Sequence, residues 1–170
     1  VRLGPTDIVV ERRGDGCVLL RSPHALGPYP RKLTERLDFW ATEAPGRLFL
    51  AQRDGAGWRT LSYGQARERA RRVGQYLLEQ QLSAERPLVV LSGNDLEHAL
   101  LELGALYAGV PYTPVAPAYS LASADFGKLR AIFALMTPGL VFASDRAAFR
   151  NAIDAVAPRD VEVIFEPKER

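Results

Sequence analysis

Hydrophobic positions along the chain follow two different rhythms, one before residue 87 and one after it. In "DIVVERRGDGCVLLRS" (7–22), two short apolar runs flank Gly14-Asp15-Gly16. Asp-Gly tolerates the positive φ of a tight turn, so the stretch predicts a β-hairpin. "SPHALGPYP" (22–30) is proline-rich and predicts an irregular linker. A helix is expected from Thr34 as N-cap, with Leu37, Trp40, Ala41 and Ala44 on one face and Pro45-Gly46 as its stop. "RLFLAQR" and "WRTLS" flank Asp54-Gly55-Ala56-Gly57 and predict a second hairpin. Ser62 and Gln65 then have the spacing of a capping box, opening a helix to about residue 81 with Ala66, Ala70, Val73 and Leu77 inward.

After residue 87 the rhythm is alternation of whole elements. "PLVVLSG" is a short continuous apolar run, the mark of a strand covered on both faces. Asn94 is expected to cap the next helix, with Glu97 in the capping-box position and Leu96, Leu100, Leu103 and Tyr107 on one side. Gly109 stops that helix and Pro111 prevents its continuation. "VPYTPV" is a strand whose Pro114 suits a bulge, "LVFAS" and "VEVIF" are two more, and helices fill 124–136 and 145–156. The buried positions expected of those helices are Phe126, Leu129, Ile132, Phe133 and Met136, then Ala148, Phe149, Ala152, Ile153 and Val156. Residues 87–165 therefore read β-α-β-α-β-α-β. Such crossovers make an α/β fold with a mostly parallel, doubly wound sheet, here preceded by N-terminal hairpins and helices. The expected organisation is a hairpin and helix region over 1–86 and the parallel layer over 87–170.

Composition narrows the chemistry. A net charge of +2 without one clustered basic face gives no reason to expect nucleic acid. Arg67 to Arg72, "RERARR", reads as a solvated helix face with Glu68 and Arg72 paired one turn apart. Cys17 is the only cysteine, which excludes an internal disulfide and a paired-cysteine zinc site and makes a reducing cytoplasm the default. No apolar run has the length of a membrane span. The histidines are only His24 and His98, and no Gly-x-Ser-x-Gly elbow occurs. Gly104 and Gly109 have phosphate-loop spacing, but Val110-Pro111 follow where Lys and Ser or Thr belong, so packing and helix termination explain them. Trp40 and Trp58 are expected in the core. Ser92, Asn94 and His98 lie beyond the first strand of the parallel layer, the end at which open α/β sheets receive ligands. The plainer reading gives them to the helix start, with His98 one exposed turn in.

The order of the pieces adds a resemblance. "LSYGQARERARRVGQYLL" (61–78) resembles the Leu-Ser/Thr-Tyr-x-Glu-Leu segment of adenylate-forming enzymes, with Gln65 and Ala66 in place of the commoner Glu and Leu. "LGALYAGVPYTPVAPAYS" (103–120) resembles their glycine- and proline-marked segment, matched by Gly109, Pro114 and Pro117. "YPRKLTERLDFWATEAPGRLFLAQR", "PVAPAYSL" and "KLRAIFALMTPGLVFASD" look most like feruloyl-CoA synthase-type acyl-CoA ligases. The resemblance implies part of the N-terminal subdomain of the adenylate-forming fold. It also implies a parent enzyme that uses ATP, magnesium and coenzyme A on a small carboxylic acid. Ser62, Tyr63, Gly109, Pro114 and Pro117 would be structural members of its motifs, and Asn94, Tyr119 and Ser120 candidates for a substrate entrance.

The family's Ser/Thr/Gly-rich loop with Pro-Lys-Gly is not in this sequence, and Lys168 in "EPKER" follows no such loop. The chain is expected to represent roughly the first quarter to third of a member. No catalytic, cofactor or metal residue is carried over, and the chain alone is expected to be inactive and prone to self-association. The other reading kept open is a free-standing, non-catalytic α/β interaction domain.

Overall fold

The computed structural model describes residues 4–165. Two compact units divide between Arg31 and Lys32. In the first, β1 (Val9–Arg12) and β2 (Val18–Arg21) pair antiparallel as the Asp-Gly signal predicts. Gly16 carries a φ of 85°, and the Asp15 carboxylate accepts from the Cys17 N–H at 2.9 Å. Residues 22–30 contain no helix or strand.

The second unit opens with α1 (Thr34–Glu43). Thr34 is its first helical residue and not its cap: Leu33 stands at the cap position, no side-chain hydrogen bond caps the helix, and Thr34 is buried. β3 (Leu48–Asp54) and β4 (Gly57–Ser62) form the second hairpin. Trp58 lies on its open face at 60% exposure and does not enter the core. α2 (Tyr63–Glu79) starts on the complete Ser62–Gln65 capping box and buries Ala66, Ala70, Gly74 and Leu77.

The parallel layer contains β5 (Leu88–Leu91), α3 (Leu96–Ala108), β6 (Tyr112–Val115), α4 (Ala118–Leu121), α5 (Gly127–Met136), β7 (Leu140–Ala143), α6 (Arg146–Val156) and β8 (Glu162–Phe165). Its strand order is β6-β5-β7-β8, parallel throughout. Every residue of β5 and β7 is buried because successive side chains serve opposite faces. Leu88, Val90, Leu140 and Phe142 pack against α2 and α3 through Leu77, Leu101 and Ala105. Val89, Leu91, Val141 and Ala143 pack against α5 and α6 through Leu129, Phe133, Phe149 and Ile153. A third cluster joins Leu37 and Leu61 to Ala66, Ala70, Leu96 and Leu100. The doubly wound α/β sheet is thus present. Among the described residues, no helix is long and apolar enough to cross a membrane.

Several local expectations are corrected. Pro114 pairs with Val90 in an unbroken register, without a bulge; β6 is an edge strand, where a missing N–H costs no ladder bond. Phe126 precedes α5 in the left-handed region with a φ of 55°, and Ile132 and Met136 are only half-buried. Ala148 is exposed, because Asp145 caps α6 and sets Phe149, Ala152 and Ile153 as its inner stripe. The short α4 has no counterpart in the sequence reading. Lys168 lies outside the described residues.

Candidate functional site

The carboxyl end of β5 is where the sheet can offer chemistry. The strand runs into Ser92, which is 2% exposed. Its hydroxyl donates to the Gly93 carbonyl at 2.8 Å and lies 2.9 Å from His98 Nδ1. His98 Nδ1 is also 2.9 Å from the Gly93 carbonyl. On the other side of the ring, Nε2 is hydrogen-bonded to the Tyr112 hydroxyl, with ring centroids 5.8 Å apart in an edge-on contact. Burial, then the Glu102 carboxylate, pushes the Tyr112 pKa up to about 12. The phenol therefore stays protonated near neutrality. The Tyr112 hydroxyl and the Gly93 carbonyl thus hold the two ring nitrogens of His98 from opposite sides. His98 is half-buried and ties the end of β5 to edge strand β6, which replaces the exposed residue expected from sequence.

The start of α3 is held from two directions. Asp95, not Asn94, is the cap: its Oδ1 accepts from the His98 N–H at 2.7 Å, while its own backbone is extended. Glu97 is not part of a capping box; its carboxylate pairs with the half-buried Arg59 of β4. Gln52 of β3 reaches over and accepts from the Leu96 N–H at 2.9 Å. A pocket of about 300 Å³ lies here, lined by Gln52, Asn94, Asp95, His98, Ala99 and Glu102 among others. Asn94 is exposed at its rim.

The other residues singled out by sequence lie on different elements. Tyr119, on α4, packs against the cluster containing Phe149, with the Lys128 ammonium 5.4 Å from its ring centre. Ser120 is 6% exposed, and its hydroxyl has no hydrogen-bond partner among the described residues. Ser62 caps α2. Tyr63 stacks on Phe49 with centroids 4.6 Å apart. Gly109 ends α3 with a φ of 70°. Pro117, at φ −54°, stands at the start of α4.

Side chains cap the starts of α2, α3 and α6. Ser62 accepts from the Gln65 N–H in α2, and Gln52 and Asp95 occupy amides of α3. Asp145 accepts from both Ala147 and Ala148 in α6. Phosphate binding at a helix start requires those N–H groups to be open. Nor does any group of three His, Cys, Asp or Glu side chains able to hold a metal occur among the described residues. Sequence reasoning missed Gln52, Arg59 and Tyr112, whose partners lie far away along the chain.

A family model described as AMP-binding enzyme matches residues 37–167. No curated protein sequence matches the chain. Among solved structures, the fatty acyl-adenylate ligase from Legionella pneumophila, in complex with acyl adenylate and pyrophosphate, aligns with a TM-score of 0.63 at 19% identity. That alignment covers 79% of this chain and 23% of the ligase. VinN aligns at 0.65 and 22% identity, over 81% of this chain and 32% of VinN. The nonribosomal peptide synthetase FmoA3, bound to alpha-methyl-L-serine-AMP, aligns at 0.62 and 23%, over 82% and 14%. At these identities the likeness is one of fold.

Proposed function

Because this chain belongs to the AMP-binding enzyme family, we propose that it is the N-terminal part of an ATP-dependent acid–thiol ligase acting on an aryl or acyl carboxylate. In the proposed parent, a carboxylate oxygen bonds to the α-phosphorus of ATP and pyrophosphate leaves. The thiolate of coenzyme A then bonds to the acyl carbon and AMP leaves with the electron pair of the broken C–O bond. Such a reaction concentrates charge on the transferring phosphoryl and needs backbone donors and cations around it. The chain's own part in the reading is to build one sheet of the scaffold, with Gly109 ending α3 ahead of β6 and Pro114 and Pro117 shaping the exit of β6.

The observation that carries the reading is the family match across residues 37–167, over the unit that forms the doubly wound sheet. The feruloyl-type segments favour an aromatic acid and coenzyme A. The test is mass spectrometry of products from the full reading-frame product given ATP, coenzyme A and, separately, ferulate, a fatty acid and an amino acid. An aryl-CoA thioester is expected, and none from residues 1–170 alone. Adenylates without any thioester would replace the coenzyme A step with an acyl-adenylate ligase, and no product from any acid would end the ligase reading.

A further inference from the structure

A second hollow lies at the opposite end of the parallel sheet from His98. Arg86 stands just before β5, Pro138 just before β7 and Val161 just before β8. With the ends of α5 and α6 they line a pocket of about 410 Å³. That volume falls within the ~300–1,000 Å³ of small-molecule sites. Its floor is apolar: Phe133 is 4% exposed and Val161 9%, and Val156 is half-buried. Its rim is charged, with Arg86 and Arg130 set against the carboxylate of Asp160. Among the described residues, the Arg86 guanidinium makes no hydrogen bond or ion pair, yet the backbone beneath it is pinned. Ser83 and Arg86 exchange two backbone hydrogen bonds at 3.2 Å, and the Pro87 carbonyl accepts from the Gly139 N–H at 3.0 Å. The Thr137 hydroxyl donates to the Glu85 carbonyl at 2.6 Å. Thr137 does so at a φ of 46°, which a β-branched residue rarely adopts. Arg130 donates to the Ala155 carbonyl, which holds its guanidinium at the end of α6.

We propose that this pocket is a separate small-molecule site for a carboxylate on a compact apolar body, an aryl or branched-chain acid. The apolar body lies on Phe133, Val156 and Val161, and the carboxylate meets the guanidiniums of Arg86 and Arg130. A guanidinium offers a planar fork that fits a carboxylate through two parallel hydrogen bonds. The sign of the ligand rests on those two side chains. α5 and α6 both end at this side of the sheet, and the partial negative charge of their last carbonyls alone would repel an anion. Asp160 repels it too, so one arginine only balances that carboxylate and the second supplies the net attraction. The inference does not depend on the ligase reading, because it uses no residue at the carboxyl end of β5 and its occupancy is read without any reaction.

The probe is phenylacetate, titrated to about 20 mM into the isotope-labelled chain and followed by NMR through its amide shifts; a ligand this small binds in the millimolar range. Saturable shifts at Ala134, Thr137, Gly139 and Val161 are expected, with Gly93, Asp95 and His98 unmoved. Phenylacetamide has the same apolar body without the charge and should bind about tenfold more weakly or worse. Arg86→Glu should weaken phenylacetate by about tenfold or more and leave the melting midpoint unchanged, since Arg86 is exposed. Arg86→Lys should fall between the two, because it keeps the charge and loses the fork. No saturable shift, or shifts centred on Gly93 and His98, overturns the proposal. Equal binding of the acid and the amide overturns it, as does phenylacetate binding that Arg86→Glu leaves intact.

Discussion

Gly74 and Gly104 meet where α2 crosses α3. A Cβ on Gly74 would stand 3.0 Å from the Gly104 carbonyl oxygen, and one on Gly104 would stand 2.6 Å from Val73 Cγ1 and 3.0 Å from the Ala70 carbonyl. The two helices approach so closely because neither has a side chain at the crossing. Gly104→Ala gains about 1 kcal/mol of helix propensity but overpacks the crossing by ~1–3 kcal/mol. We expect a net loss of up to ~2 kcal/mol, and a larger one for Gly104→Val, read as a lower denaturation midpoint. Gly14→Ala, with nothing within 4 Å of the added Cβ, serves as the neutral control.

Gly109 has the opposite problem. A Cβ there meets open space, yet φ is +70°. Gly109→Ala should cost about 1 kcal/mol through backbone strain alone, and Gly109→Asn less, since Asn tolerates the left-handed region. Equal melting temperatures for the two variants would contradict the helix-stop role.

The Arg59–Glu97 pair crosses from β4 to α3 with both side chains partly buried, whereas Arg72–Glu68 lies on one exposed face of α2. Double-mutant cycles should return a coupling of about 1–2 kcal/mol for the first and no more than ~0.5 kcal/mol for the second. Added salt should weaken the second more.

Tyr112 sets an alkaline limit. Its pKa is raised, first by burial, from 10.0 to about 12, and burial with the Asp38 hydrogen bond raises Tyr107 as well. A raised folded-state pKa contributes stability that is fully present below the unfolded value and lost as pH climbs through the folded one. Stability should therefore fall between about pH 10 and about pH 12. With Tyr112 only partly shielded from solvent, its share is about 1 kcal/mol. Tyr112→Phe should remove that share of the pH dependence, measured as melting temperature against pH beside the phenolate absorbance.

The parallel layer was legible because its signals are local. Continuous apolar runs mark β5 and β7, and the Ser62-x-x-Gln65 spacing marks the start of α2. The candidate site was less so. Asn94 and Asp95 are both good caps, and only geometry chooses Asp95. Gln52 reaches Leu96 across 44 residues, and Tyr112 reaches His98 from another strand, contacts that no periodicity encodes. Trp58 carried a core-like composition to the open side of a hairpin. The four-residue α4 is too short for any hydrophobic stripe.

The proposed parent enzyme adenylates a carboxylic acid. Exchange of labelled pyrophosphate into ATP by the full reading-frame product, with and without an aryl carboxylate, tests it most directly. Carboxylate-dependent exchange is expected from the full product and none from residues 1–170 alone. Exchange that is absent with every carboxylate offered, or equally strong in residues 1–170, would contradict it.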